Sequence, residues 1–218
     1  MSFPEGNHLL LCVLCLVLSL FLQSCNEGER IYLYDQFYYA QPLQEIKKLT
    51  SAEYCRDDRT SLCRKNPVPF FRASWYQRFL FRQERLVGVQ LIHLDPDKAR
   101  KLIDPWLDGG YHYLPVAIRS AGKELDLFAE IKTVGKEGAR KAVNAFSRAT
   151  ATDQESTYIY VDLTRREHIL DSMFSFHTIL ASGPRDLLGI EEKVNNKMLS
   201  INFFAPVAEW QDQGWPKP

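Results

Sequence analysis

The stretch FRASWYQRFLF (71–81), followed after a short interval by RLVGVQLIHL (85–94), decides the fold of this chain. Both segments are rich in aromatic and branched residues, and the residues between them, around Gln83 and Glu84, are polar. Two such segments joined by a short polar turn are typical of an antiparallel β-hairpin. The sequence therefore predicts a hairpin that turns near Gln83 and Glu84, with a helical first segment as the alternative.

Outward from the hairpin, strand and helix patterns follow one another irregularly. Strands are predicted at 31–39, 114–119, 125–132, 157–163 and 199–204. Helices are predicted to begin at Pro42, at Asp95, near Ala139 and at a capping box that starts at Thr164, the last of them ending at Gly183. We expect Pro105 to break the second helix. Hairpins mixed with about four helices indicate an α+β fold with a mainly antiparallel sheet.

The N-terminal segment contains an uncharged apolar run from Leu9 to Leu22. A membrane-spanning helix needs about 20 apolar residues, whereas a run of roughly 7–15 is typical of a secretory signal peptide. The motif Leu22-Gln23-Ser24-Cys25 that closes the run resembles a bacterial lipobox, in which cleavage occurs just before a cysteine that carries a diacylglycerol. This resemblance implies that Cys25 is the lipidated first residue of the mature chain. A buried helix or a short membrane anchor with an unmodified Cys25 is the alternative.

These segments predict three parts: a signal peptide (1–24), a lipid-anchored tether (25–30) and a single α+β domain (31–218). The tether reaches at most about 20 Å when fully extended, so the domain is expected to lie close to the membrane surface. The chain has 27 basic and 27 acidic residues. An exported lipoprotein meets little nucleic acid, and we predict no nucleic-acid partner.

The number and positions of the cysteines are a second indication that the chain is exported. Cys12 and Cys15 would leave with the signal peptide and Cys25 would carry the lipid, so only Cys55 and Cys63 remain. In an oxidising compartment this pair is expected to form a disulfide across the loop CRDDRTSLC. A metal half-site is the alternative, but neither a CxxC motif nor a nearby histidine supports it.

The sequence contains none of the common motifs that identify a catalytic, phosphate-binding or metal-binding site. It has no GxSxG elbow, phosphate-binding glycine loop, HExxH or EF-hand pattern. We therefore predict no cofactor and no metal site. The segment DPWLDGGYHYLP (104–115) places Asp104, Asp108 and His112 near one another, as a general acid and base would require. Ordinary turn residues explain the same segment, so the sequence favours binding over catalysis. The helical spacing of His177 predicts a core histidine, with a catalytic base as the alternative.

A basic segment from Cys55 to Arg85 interleaves arginines with aromatic residues, which suits either a protein partner or anionic lipid head groups. An ordinary arginine-rich hairpin face is the remaining alternative. Trp and Arg are enriched at the energetic centres of interfaces, and the tail residues Trp210 and Trp215 fit the same description. The predicted binding residues are Arg72, Trp75, Arg78, Arg82, Arg85, Trp210 and Trp215.

Taken together, these features resemble the small lipoproteins of the bacterial cell envelope that serve as assembly subunits or as immunity proteins against toxins. The resemblance implies a lipid-anchored, periplasm-facing protein that binds a protein partner at the membrane. Asn26 stands where enteric lipoproteins retained at the inner membrane carry aspartate, which favours the outer membrane. Two alternatives stay open: an enzyme that uses Asp104, Asp108 and His112, and a lipid- or glycan-binding module that uses the basic hairpin.

Overall fold

Twelve strands and five helices form the part of the chain that a computed structural model describes, residues 30–107, 113–150, 155–162 and 172–213. The strands are β1 (Tyr32–Tyr34), β2 (Phe37–Tyr38), β3 (Glu53–Tyr54), β4 (Ser61–Cys63), β5 (Val68–Phe70), β6 (Ala73–Arg82), β7 (Arg85–His93), β8 (Tyr113–Ser120), β9 (Lys123–Asp126), β10 (Glu155–Asp162), β11 (Gly189–Asn195) and β12 (Leu199–Phe204). The helices are α1 (Leu43–Thr50), α2 (Pro96–Leu107), α3 (Leu127–Ala149), α4 (Phe176–Ser182) and α5 (Pro206–Gln213). None of these helices is long and apolar enough to cross a membrane.

One large antiparallel sheet organises the domain. Its ten strands include the path β3-β4-β6-β7-β12-β11-β10-β8-β9, with β5 paired to β6, and β1 and β2 form a separate small hairpin. Every strand pair is antiparallel. The predicted α+β fold with a mainly antiparallel sheet is therefore confirmed, and all the described elements belong to one compact unit, residues 31–218.

The hairpin predicted from residues 71–81 and 85–94 consists of strands β6 and β7. It turns at Gln83 and Glu84, whose φ angles of 49° and 60° are those of a tight two-residue turn matched to the twist of the strands. In its register Arg82 lies opposite Arg85 and Tyr76 lies opposite Ile92. The prediction of an antiparallel hairpin at this position is confirmed.

Successive residues of the central strands enter cores on opposite sides of the sheet, because side chains alternate along a strand. On β12, Phe203 belongs to the core beneath α1 and α2, whereas its neighbour Phe204 belongs to the core beneath α4 and α5. A third, smaller cluster joins α3 to the β8–β9 hairpin through Ile118, Leu127 and Ala139. The sheet is thus covered by helices on both faces, though not along its whole length.

The predicted strand at 125–132 is wrong, because the strand ends at Asp126 and a helix begins at Leu127. One carboxylate oxygen of Asp126 accepts a hydrogen bond from the backbone N–H of Ala129 at 2.9 Å, which caps α3. Its other oxygen accepts one from the N–H of Phe176 at 2.8 Å, at the start of α4. Asp126 therefore holds the N-termini of two helices together, and its local cap ends the strand where the alternation of apolar residues predicts that the strand continues.

Several other elements differ from the sequence predictions, and the strand predicted at 31–39 is two short strands, β1 and β2, that pair with each other. Helix α2 continues through Pro105, which lies in its last turn. The helix predicted from Thr164 to Gly183 is not continuous, since residues 172–175 are not helical and Ser175 caps a new helix at Phe176; residues 163–171 lie outside the described part of the chain. Strand β11 and helix α5 were not predicted, because β11 is rich in charged residues and α5 is short.

Replacement of Asp126 by alanine should lower the free energy of unfolding by about 2 kcal/mol, because it removes charged hydrogen bonds to two helix N-termini. Urea denaturation at neutral pH measures the change. Asp126→Asn keeps one acceptor oxygen and should lose roughly half as much. An alanine variant as stable as the parent would show that the two hydrogen bonds contribute nothing.

Candidate functional site

The outer side of the β6–β7 hairpin is a part of the sheet that the described helices leave uncovered. Helices α4 and α5 pack on this side over β8, β10 and the end of β12, and Glu209 of α5 forms an ion pair with Arg82 at the turn end of the hairpin. Alternate residues of β6 (Tyr76, Arg78 and Leu80) lie on it, and the register places Ile92 beside Tyr76 and Gln90 beside Arg78. Tyr76 is 47% exposed, and the other four side chains are partly buried. We call these five residues the open face.

Strand β12 extends the open face toward the middle of the sheet. Ser200 pairs with Ile92 and Asn202 pairs with Gln90, and the Gln90 amide donates a hydrogen bond to the Ser200 hydroxyl at 3.2 Å. A Cβ atom added at Gly88 would lie 2.4 Å from the Asn202 side-chain oxygen, so this position admits only glycine without a shift. Next to the apolar side chains of β6, the open face is therefore formed by the backbone at Gly88 and by the short side chains of Ser200 and Asn202.

Charged groups around the open face are paired within the protein. The guanidinium of Arg78 lies 2.5 Å from the Asp57 carboxylate, and that of Arg82 lies 3.2 Å from Glu209. At the far side, the Lys193 ammonium lies 3.0 Å from Glu155. Because each of these cations has an anionic partner, the surface presents alternating charges rather than one strong positive field.

The loop from Cys55 to Cys63 borders the open face. Its two cysteines form a disulfide, and the Cys55 sulfur accepts a hydrogen bond from Nε of Arg78 at 3.5 Å. Hydrogen bonds from the Ser61 hydroxyl, then from the hydroxyl and N–H of Thr60, lower the pKa of Asp58 to about 2. The Asp57 pKa is also lowered, chiefly by its hydrogen bond from Arg78. The loop is therefore held in one shape at the edge of the sheet.

Helix α5 is fixed beside the same surface by two ion pairs. Burial raises the pKa of Glu209, an effect that Arg82 opposes and Glu191 reinforces. The guanidinium of Arg185 donates two hydrogen bonds to Asp212, at 2.7 and 2.6 Å, and lowers its pKa. Asp212 also accepts a hydrogen bond from Tyr39, whose pKa burial and this carboxylate raise to about 12.

Several predicted binding residues serve the fold instead. Trp75 is fully buried, and its indole N–H donates to the Phe70 carbonyl at 2.9 Å, so it cannot contact a partner. Trp210 packs against the core beneath α4 and α5, and Arg85 donates a hydrogen bond to the Ala40 carbonyl at 3.4 Å. Trp215, like the predicted lipidation site Cys25, lies outside the described residues.

The predicted arginine cluster is only partly assembled. Arg78 and Arg82 lie on the same side of β6, but both are engaged by carboxylates. Arg72 is exposed at the β5–β6 turn, at the other end of the strand. The four arginines thus do not converge on a single anionic ligand.

The predicted acid–base group falls mostly outside the described residues. Asp104 is exposed on α2, and Asp108 and His112 lie outside the described part of the chain. His177 is not the predicted core histidine, because its side chain is 51% exposed and its Nε2 lies 3.2 Å from Glu124. In the described ranges no group of three or more His, Cys, Asp or Glu side chains is placed to hold a metal ion.

The predicted binding residues leave out the apolar part of the open face, because they were chosen by residue type and not by the side of the strand on which they lie. Trp75 and Tyr76 are adjacent, and a pleated strand must place them on opposite sides of the sheet. Applying that alternation to the apolar residues of β6 and β7 would have selected Tyr76, Leu80 and Ile92. Comparison of the chain with protein-family models, with curated proteins and with solved structures finds no match.

Proposed function

We propose that this chain is a lipid-anchored cell-envelope protein that binds a protein partner at the membrane through the open face. The observation that carries the proposal is an uncovered patch of sheet in which Tyr76, Leu80 and Ile92 are surrounded by internally paired charges. An apolar centre containing tyrosine and a polar rim are the usual composition of a protein interface.

The charge arrangement favours a protein over an anionic lipid or glycan at this surface. A polyanion gains most from several unpaired cations on one face, whereas Arg78 and Arg82 already have carboxylate partners. A protein partner can match alternating charges at the rim while burying the apolar centre. The residues that would define the partner are therefore those of the open face rather than the arginines alone.

The cellular setting of the proposal comes from the sequence. The signal-like run from Leu9 to Leu22 and the lipobox ending at Cys25 support export and acylation, and the Cys55–Cys63 disulfide suits an oxidising compartment. A periplasm-facing domain with one binding surface fits either an assembly subunit or an immunity protein. Asn26 after the acylated cysteine favours the outer membrane.

Site-specific photocrosslinking in intact cells tests the binding surface. Benzoylphenylalanine in place of Tyr76 should give a defined crosslinked product with one envelope protein, because this ring lies at the centre of the proposed interface. The matched control is Phe174, an aromatic residue that is 72% exposed and lies before α4, away from the open face. Equal products at both positions, or none at position 76, would contradict the proposal.

A pair of substitutions then separates binding from folding. Tyr76→Glu combined with Ile92→Glu should reduce recovery of that partner at least tenfold, since both place a charge in the apolar centre. The melting temperature should change by only a few degrees, because neither side chain belongs to the main core. If the biological effect is instead lost in Asp108→Asn or His112→Ala with crosslinking intact, the protein is an enzyme.

A further inference from the structure

A shallow groove of about 500 Å³ lies on the other side of the sheet, where the β5–β6 turn meets the end of α2. It is lined by Phe71, Arg72, Lys101, Leu102, Pro105 and Trp106. The turn consists of Phe71 and Arg72, whose φ angles of 44° and 58° lie in the left-handed region that bulky residues rarely adopt. Phe71 nonetheless stays 38% exposed, with its ring centroid 5.2 Å from that of Trp106.

This strained turn presents an aromatic side chain to solvent where asparagine and glycine would form the same turn without strain. The ring contacts of Phe71 are with Phe70 and Trp106, so its inner edge is supported by the core while its outer edge is free. The groove is therefore suited to an occupant that contacts aromatic rings at the boundary between an apolar phase and water.

The groove also lies close to the point where the domain leaves the tether. The ring of Tyr34, in the first strand, is 6.0 Å from the ring of Phe70, which is 4.6 Å from the ring of Phe71. Residues 25–30 reach at most about 20 Å when extended. If Cys25 carries a lipid, a tether of this length keeps the domain close to the bilayer surface.

The composition of the groove matches a phospholipid surface. Phe71 and Trp106 are suited to the boundary between head groups and acyl chains, and Arg72 and Lys101 can extend their charges to phosphates. Neither cation is paired with a carboxylate of the described residues, in contrast to Arg78 and Arg82. The exposed acids of α2, Asp97 and Asp104, do not line the groove.

We propose that the groove docks onto anionic phospholipid head groups of the membrane that holds the lipid anchor, an inference that rests on the anchor proposed above. Trp106 and Phe203 pack on the side of the sheet covered by α1 and α2, opposite the open face. Docking through the groove therefore turns the open face away from the bilayer and toward the periplasm. The anchor and the groove together fix the orientation in which a partner meets the protein.

Fluorescence quenching in proteoliposomes tests this orientation with the full, acylated chain. In the processed, disulfide-bonded protein a cysteine introduced by Phe71→Cys is the only free thiol, and it can carry an NBD fluorophore. In vesicles of phosphatidylethanolamine and phosphatidylglycerol, nitroxides on lipid head groups should quench NBD at position 71 at least threefold more than NBD at the control position Phe174→Cys. Both labelled chains should melt within a few degrees of the parent.

Charge reversal provides the second arm. Arg72→Glu with Lys101→Glu should reduce quenching at position 71 to the level of position 174, because the cations contact the anionic head groups. The matched control is Lys136→Glu with Lys141→Glu, two exposed lysines of α3 that lie outside the groove and should leave quenching unchanged. Replacing phosphatidylglycerol with phosphatidylcholine should weaken quenching at position 71 in the chain labelled there without the charge reversals.

The outcomes distinguish the anchor from the docking surface. Protein that floats with the vesicles but shows equal quenching at positions 71 and 174 would overturn the docking surface and leave the anchor intact. Protein that does not float, with no acyl mass on Cys25, would overturn the anchor and the docking surface with it. Quenching at position 71 that survives the Arg72 and Lys101 reversals would overturn the assignment to anionic head groups.

Discussion

Replacement of Trp75 by alanine should lower the free energy of unfolding by about 3–5 kcal/mol. The Trp75 side chain is fully buried, and its ring meets those of Phe70 and His93 at centroid distances of 5.5 and 5.1 Å. Alanine would leave a cavity at the base of the β6–β7 hairpin and would remove the hydrogen bond to the Phe70 carbonyl. Urea denaturation followed by circular dichroism measures the change.

Tyr76→Ala is the matched control, because the neighbouring residue lies on the opposite side of the same strand. This variant should lose less than about 1 kcal/mol of stability, as surface substitutions usually do, yet it should impair partner binding. The Trp75 variant should bind normally at temperatures where it remains folded. Equal losses of stability in the two variants would show that the faces of β6 are assigned incorrectly.

Removal of the Cys55–Cys63 disulfide by serine at both positions should lower the free energy of unfolding by about 2–3 kcal/mol. The bond closes a short loop, with a sequence separation of 8, and therefore restricts the unfolded chain. Cys55 is buried, so its replacement also removes packing beside Arg78. Thermal unfolding of the two proteins at neutral pH measures the difference.

Reduction of the parent protein is the control for this substitution. A reductant should shift the parent curve most of the way to that of the double-serine variant, and it should leave the variant unchanged. If the parent is insensitive to reductant although the bond is shown to open, ring closure does not stabilise the domain. The Asp57–Arg78 ion pair and the hydrogen bonds to Asp58 would then hold the loop in place.

Local sequence signals were sufficient for the hairpin, because its two long segments carry strong strand patterns and a short turn. They were also sufficient for α2, whose cap at Asp95 accepts a hydrogen bond from the Lys98 N–H at 2.9 Å. They failed at Leu127, since alternating apolar residues fit a strand as well as the first turn of a helix. Asp126 caps α3 locally through the Ala129 N–H, but its second hydrogen bond, from the Phe176 N–H, joins residues far apart in the chain and leaves no trace in a short window of sequence.

The sequence predicted only part of the candidate site, because that site also depends on contacts between residues that are far apart in the chain. The hairpin and its arginines were recognised, but the partners that neutralise Arg78 and Arg82 come from the disulfide loop and from α5. No pattern near residues 78–82 indicates those carboxylates. Composition alone therefore overstated the positive charge of the surface and understated its apolar centre, which depends on the alternation between Trp75 and Tyr76.

The position of β12 in the sheet sets when folding can finish. Among the described strands, β12 lies between β7 and β11 and joins the half of the sheet formed early in the chain to the half formed later. It is also the last of these strands in sequence, which means that the described sheet cannot be completed until residues 199–204 are synthesised. The closing of the sheet is therefore a late, long-range step, because it needs residues 85–93 and 189–195 to be held on either side of the same strand.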